Sequence, residues 1–389
     1  MSRAGLTGTG LTGVPAVGVN LLWLVPGRVG GSEQATIRQL EALAELPEAS
    51  RYQLFCTPEV REAHPEVVGA FAGTEVEVAA SSRARRILAE ATTLNRAAGE
   101  AKVELMHHGG GTLPLRTPLP CTVTIHDIQP IDLPGNIPWL RRWYLARGLP
   151  SAARRARRIA VPSTFVRDRV IDRLGADPAR VTVIPWGPPR DRPGDGPEAP
   201  GLVSSSLLPP QMEYLLYPAV TWPHKGHVAF LDVVAALPGE LHLVLTGGEG
   251  PAHRELLEAV EQRGLSARVH HLGRVSEAHL DALYRGAVAA VMPSSYEGFG
   301  MPAIEAEAAG VPVIASTHPG LDEACGDAAL RVDIGDVAGW VAAVQSVRAD
   351  TQRREALVAA GRRVAAGFNW TDSARALVAL HRAAWEHPS

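Results

Sequence analysis

Cysteine is scarce in this chain: Cys56, Cys121 and Cys325 are the only three in 389 residues, and no two form a C-x-x-C pair. That scarcity argues against a disulfide framework or a zinc ribbon and fits a reducing cytoplasm. No uninterrupted apolar run approaches the roughly 20 residues that a membrane-spanning helix needs. A basic excess is missing too, since the formal net charge is −3, which argues against a nucleic-acid binder. No D-x-D pair occurs anywhere, so nothing signals a metal bridging a diphosphate. The first seventeen residues are rich in Gly and Thr with a single Arg3, a poor signal peptide, and are read as a frayed start.

The length suits two domains better than one core. Short apolar runs alternate with helical stretches along the chain, the pattern of a parallel α/β architecture. In the first half the expected strands are VGVNLLWL, YQLFC, VEVAA, VELMHH, CTVTIHD, RIAVPS and VTVIPWG. A Pro/Gly-rich segment, PPRDRPGDGPEAPG and the residues after it, breaks the rhythm and reads as a linker. The strands then resume with YLLYPAV, LHLVLTG, RVHHLG, AAVMPS, PVIAS and AALRVD. The expected organisation is therefore a Rossmann-like domain over residues 1–190, a linker over 191–211 and a second Rossmann-like domain over 212–370. Gly8-Thr9-Gly10-Leu11-Thr12-Gly13 satisfies G-x-G-x-x-G, but it precedes a strand instead of following one and opens no helix. A dinucleotide fingerprint needs the opposite order.

The most informative stretch runs from Pro293 to Ser316, PSSYEGFGMPAIEAEAAGVPVIAS, with Glu297 and Glu305 separated by seven residues. A buried strand ends at Pro293, and a loop carrying Gly298 and Gly300 follows, where a backbone can approach a ligand closely. Pro302 marks the start of a short helix and Gly310 its end. Bare N–H groups and the dipole at a helix N-terminus favour phosphate. The two carboxylates suit sugar and ribose hydroxyls instead. A nucleotide sugar carries both kinds of group.

This stretch resembles the E-x7-E signature of retaining glycosyltransferases of family 4, which have the GT-B fold. The resemblance implies two Rossmann-like domains with a cleft between them, and a last helix, 371–389, that returns to the first domain. It implies donor contacts from Glu297, Gly298, Phe299, Gly300, Met301 and Glu305, with Glu297 on hexose hydroxyls and Glu305 on ribose hydroxyls. Further matches follow in order. Gly31, in the strand-to-helix turn Gly30-Gly31-Ser32-Glu33, is expected against the donor diphosphate. His126, closing TVTIHD, is expected to bind the transferred sugar and support the transition state, while Asp127 shapes the turn. His126 and Glu297 thus take the catalytic roles, neither as a nucleophile. His107-His108 and Gly109-Gly110-Gly111 are read as loop structure.

In the second half, Lys225 of TWPHKGH matches a lysine that clamps the diphosphate. The arginine that accompanies it in the family, six positions earlier, falls here on Ala219. Either another cation compensates, or the leaving group rests on Lys225, helix dipoles and the glycine loops. Gly247 is expected to approach the ligand closely, and Val275 to offer its backbone to the nucleobase. The WPHK-type subgroup is similar to mannosyl- and rhamnosyltransferases, which favours GDP-mannose over a UDP- or dTDP-sugar.

The expected function is a metal-independent, retaining hexosyltransferase, needing no cofactor, that acts on a hydroxyl of a glycan, lipid or small molecule. The alternatives are a degenerate nucleotide-sugar-binding protein without turnover and a GT-B sugar-nucleotide epimerase. The Ala/Arg-rich composition suggests a GC-rich bacterial source and cell-envelope glycan synthesis. WLRRWYLARGLPSAARRARR, residues 139–158, holds seven arginines and no acid. It reads as a solvated helix pair or as a peripheral contact with anionic membrane at the inner face.

Overall fold

The computed structural model describes residues 13–27, 30–79, 82–136, 139–189, 207–209 and 211–386. All of the G-x-G-x-x-G string but Gly13, and most of the Pro/Gly-rich segment, lie outside the described residues. The chain divides into two units, one of Met1–Trp186 with Trp370–Ser389 and the other of Gly187–Asn369.

The first unit is built on a parallel sheet of β1 (Val17–Asn20), β2 (Tyr52–Cys56), β3 (Ala72–Glu75), β4 (Leu105–His108), β5 (Cys121–Thr124), β6 (Arg158–Val161) and β7 (Val181–Val183). Their order is β3-β2-β1-β4-β5-β6-β7, with Val17 in register with both Tyr52 and Leu105. Strands β1, β4 and β5 are buried along their whole length, because helices cover both faces of such a sheet. The helix Trp370–Glu386 closes the unit against helix Gly31–Ala44, where Gln39 donates to the Ser373 hydroxyl at 3.0 Å. Below it, the Tyr52 hydroxyl meets His381 Nδ1 at 2.9 Å, so a buried phenol keeps its hydrogen bond.

The third strand departs from expectation. It is Ala72–Glu75, not VEVAA at 76–80. Val76 makes a last rung to the Cys56 carbonyl at 2.9 Å, after which the backbone turns on itself from Val78 to Val76. The apolar valines that suggest a strand are the residues that leave the sheet edge to fill the core, whereas the edge strand itself is exposed and polar.

The second unit repeats the plan with β8 (Glu213–Pro218), β9 (Leu241–Thr246), β10 (Val269–His271), β11 (Ala289–Met292), β12 (Val313–Ser316) and β13 (Ala329–Val332), all parallel in the order β10-β9-β8-β11-β12-β13. Trp340 anchors its core, edge-on to Phe230 at 5.2 Å, with its indole N–H donated to the Asp333 carbonyl. In both units the strand order reverses once, between β1 and β4 and between β8 and β11. Ligands of open α/β sheets bind beyond the carboxyl ends of the strands at such a reversal.

Candidate active site

The reversal in the second unit gathers most of the residues singled out in the sequence. Beyond β8 the chain makes a single tight turn, Pro223–Lys225, then Gly226 in the left-handed region (φ 73°), then helix His227–Ala236. A Cβ on Gly226 would strike the Pro293 carbonyl at the exit of β11, so glycine is required for the two exits to touch. Tyr217, inside β8, donates its hydroxyl to the Lys225 carbonyl at 2.8 Å and meets the Ser294 hydroxyl at 2.8 Å. These bonds fix the lysine's backbone. Its Nζ then donates to Glu297 Oε1 at 2.6 Å, with side chains only 18% and 10% exposed.

Burial alone would raise the Glu297 carboxyl. The charge and hydrogen bond of Lys225 and a hydrogen bond with Ser294 outweigh it, and the group sits below its ordinary value. Glu297 is therefore ionised at neutral pH and presents oxygens as acceptors. Beside it, burial and the neighbouring Lys225 charge push His224 down to about 4, so this imidazole is neutral.

Gly300 (φ 94°) caps helix Met301–Ala308. A side chain there would collide with Leu321, so only glycine admits this entry to the helix. Glu305 lies in the second turn rather than the first, where Tyr284 donates to its Oε2 at 2.9 Å. Phe299 and Met301 turn their side chains into the core, Phe299 edge-on to Phe368 at 5.7 Å. Gly298 lies between Glu297 and Phe299 in the same loop.

Gly247 (φ 121°) follows β9. A Cβ there would stand 2.8 Å from the carbonyl group of Ala219, so its close approach is to the chain's own backbone. Its N–H donates to the Gly273 carbonyl at 2.8 Å, which ties the β9 exit to the β10 exit, where half-buried Val275 precedes the cap Ser276.

In the first unit, Gly30 (φ 81°) precedes helix Gly31–Ala44, and nothing lies within 4 Å of where a Cβ on Gly31 would stand. Buried Glu33 folds the turn back by accepting from the Gly27 N–H at 3.0 Å and facing His64 at 3.2 Å. His126 sits past β5 between Trp23 and Trp186, each ring 5.6 Å away. Burial pushes it down to about 4. Its Nε2 lies 2.8 Å from the Gly109 carbonyl, which can only accept, so the neutral ring carries its proton there. Nδ1 is then a lone-pair acceptor, and it is shielded with no hydrogen-bond partner. Asp127 accepts from the Gln129 N–H at 2.9 Å and shapes the turn. His107 and His108 end β4, as the VELMHH strand anticipates, and the Thr122 and Thr124 hydroxyls meet both nitrogens of His107.

Other functional candidates were missed in the sequence. At the reversal between β1 and β4, Asn20 Nδ2 lies 3.0 Å from Glu90 and 3.1 Å from His108 Nδ1. Arg86 donates to the carbonyls of Leu22 and Trp23. Tyr217 could have been flagged, since a phenol in a buried strand needs a partner; Tyr284 carried no such signal.

Two doubly wound parallel units with polar residues gathered at their reversals define an open α/β class of two Rossmann-like units. Residues 29–192 match the family described as glycosyltransferase family 4, and residues 203–364 that of glycosyl transferases group 1. By these two domains the chain is of the family 4 glycosyltransferase type. It is similar to O-antigen chain mannosyltransferase B of Escherichia coli, 31% identical over 64% of this chain and 66% of that protein. It is also similar to a D-inositol 3-phosphate glycosyltransferase of Rhodococcus opacus, 32% identical over 58% of this chain and 53% of the relative. The chain thus spans less than two thirds of the length of these relatives. Among solved structures, sucrose-phosphate synthase from Thermosynechococcus elongatus superposes with a TM-score of 0.76 at 21% identity, over 95% of this chain and 99% of that one. Anabaena Alr3699/HepE in complex with UDP-glucose gives 0.72 at 17% identity, over 93% and 98%. The fold is GT-B.

Proposed function

We propose that this protein is a metal-independent, retaining hexosyltransferase that moves mannose from GDP-mannose to a hydroxyl of a glycan, lipid or small molecule. The observation that carries this reading is the Lys225–Glu297 pair, set beside Glu305 and a helix N-terminus at the sheet reversal of the second unit. Lys225 and the first turn of helix Met301–Ala308 hold the diphosphate. Glu297 accepts hexose hydroxyls and Glu305 ribose hydroxyls. His126 binds the transferred sugar and supports the transition state. With no nucleophile assigned, the acceptor attacks the face that the leaving group vacates. The acceptor oxygen bonds to the anomeric carbon as the bond to phosphate breaks, and a phosphate oxygen takes the acceptor's proton. Mannose is favoured by the WPHK stretch and by the name of the Escherichia coli relative.

The same reading places the enzyme in the cytoplasm with a peripheral hold on anionic membrane. No helix among the described residues is long and apolar enough to cross a membrane. The basic stretch forms one helix, Trp139–Arg155, that continues through Pro150, not a helix pair. Only its second half docks, through Leu149, Ala152 and Ala153, while Trp139 and Trp143 are 77% and 54% exposed.

The test is incubation of the full chain with GDP-mannose, EDTA and a set of mannoside, inositol and lipid acceptors. Release of GDP with an α-linked product supports the reading. An inverted product, or an isomerised sugar nucleotide formed without acceptor, contradicts it.

A further inference from the structure

Lys225 and Glu297 cancel each other's formal charge, so their pair brings no net positive charge to a diphosphate. Lys225 is one of two lysines in the chain, the other being Lys102, and position 219 holds alanine. The nearby imidazoles do not make up the deficit, since burial pushes His224 down to about 4 and His227 to about 3. Arg331, at the exit of β13, is engaged. It is held by Asp322 at 3.0 Å and by the carbonyls of Ser316 and His318.

Arg274 is placed differently. It follows β10, is exposed, and makes no ion pair or hydrogen bond with another described residue. Its guanidinium turns its Nε–Nη2 edge towards the β9 loop, where a Cβ on Gly248 would stand 3.2 Å from both nitrogens. Gly247, the adjacent residue, is flush against Ala219, and the Gly248 carbonyl accepts from the Thr221 N–H at 3.3 Å. The guanidinium thus reaches back from β10 to Gly248, one residue from the contact with Ala219. Glu249, which follows Gly248 in the β9 loop, faces His253, at 3.7 Å.

We infer that Arg274 supplies, from a neighbouring strand, the cationic contact to the donor diphosphate that position 219 cannot make. This inference rests on the nucleotide-sugar reading above. The planar fork suits two phosphate oxygens at once, and the two glycines leave the space through which it reaches them. A side chain at Gly248 would displace it.

Calorimetric titration of the full chain with GDP and with GMP tests the inference, using Arg274→Ala and Arg274→Lys. Because Arg274 is exposed, both variants should melt with the unaltered chain. Arg274→Ala is expected to weaken GDP binding by about 10- to 100-fold while changing GMP binding much less, and Arg274→Lys to recover part of the loss. If Arg274→Ala binds GDP within about twofold of the unaltered chain, or loses GMP equally, the inference is overturned while the nucleotide reading stands. If the unaltered chain binds neither GDP nor UDP, the nucleotide reading falls, and this inference with it.

Discussion

Lys225 and Glu297, seventy-two positions apart in the chain, meet at 2.6 Å where the carboxyl ends of β8 and β11 converge. The pair is nearly dry, so removing one partner strands the other's charge. Lys225→Ala is expected to cost about 3 kcal/mol of stability, and Lys225→Ala/Glu297→Gln less than Lys225→Ala alone. Since the folded Glu297 carboxyl is held below its ordinary value, its contribution is present above the unfolded pKa and lost as pH falls through the folded one. Denaturant melts of the single and double variants at pH 7 and pH 4 measure both effects. Glu297→Gln keeps an acceptor but loses the charge, and kcat/KM should fall by about tenfold or more. Unchanged kcat/KM in both Glu297→Gln and Glu305→Gln would remove the donor roles assigned to these carboxylates.

Tyr284 orients Glu305 through one oxygen. Tyr284→Phe should lose about 1 kcal/mol of stability. It should also weaken GDP binding severalfold, with a smaller effect on 2′,3′-dideoxy-GDP, which lacks the hydroxyls Glu305 is proposed to hold. Equal losses on both nucleotides would mean that Tyr284 acts on the fold alone.

Glu307 is buried with neither oxygen hydrogen-bonded, and burial together with the Asp327 charge pushes it up to about 9. The unfolded chain releases this proton near the ordinary carboxylate value, so the protonated group's contribution is present in acid and is lost as pH rises towards 9. Glu307→Gln should therefore raise Tm at pH 8, corresponding to about 1 kcal/mol or more, and much less at pH 5. A Tm gain independent of pH would rule out the buried proton as its cause.

The parts of this molecule that were legible in the sequence share a physical cause. Buried parallel strands have no polar face, so β8 and β11 announce themselves as apolar runs, and glycines such as Gly300 mark backbone that no other residue can follow. VEVAA misled because alternation at a sheet edge looks the same whether valines lie in the strand or leave it. What stayed hidden was partnership at long range. Lys225, Glu297, Glu305 and Gly247 could each be singled out, yet nothing local joined Lys225 to Glu297, Tyr284 to Glu305, Asn20 to Glu90, or Gly247 to Ala219.

The helix Trp139–Arg155 displays Trp139 and Trp143, with Arg147 stacked over Trp143 at 4.2 Å. Flotation with vesicles containing anionic phosphatidylglycerol at low salt should carry the chain upward. Trp139→Ser/Trp143→Ser and higher salt should each release it. No flotation at low salt ends the membrane proposal without touching the catalytic one.

The most direct test of the central claim is a thermal-shift panel of GDP-mannose, UDP-glucose, UDP-GlcNAc, dTDP-rhamnose and the free diphosphates, each with and without EDTA. Binding to the folded state raises Tm by mass action. The account predicts a selective rise with GDP-mannose that survives EDTA and is lost in Lys225→Ala. No shift with any nucleotide, or one that requires a divalent metal, would contradict it.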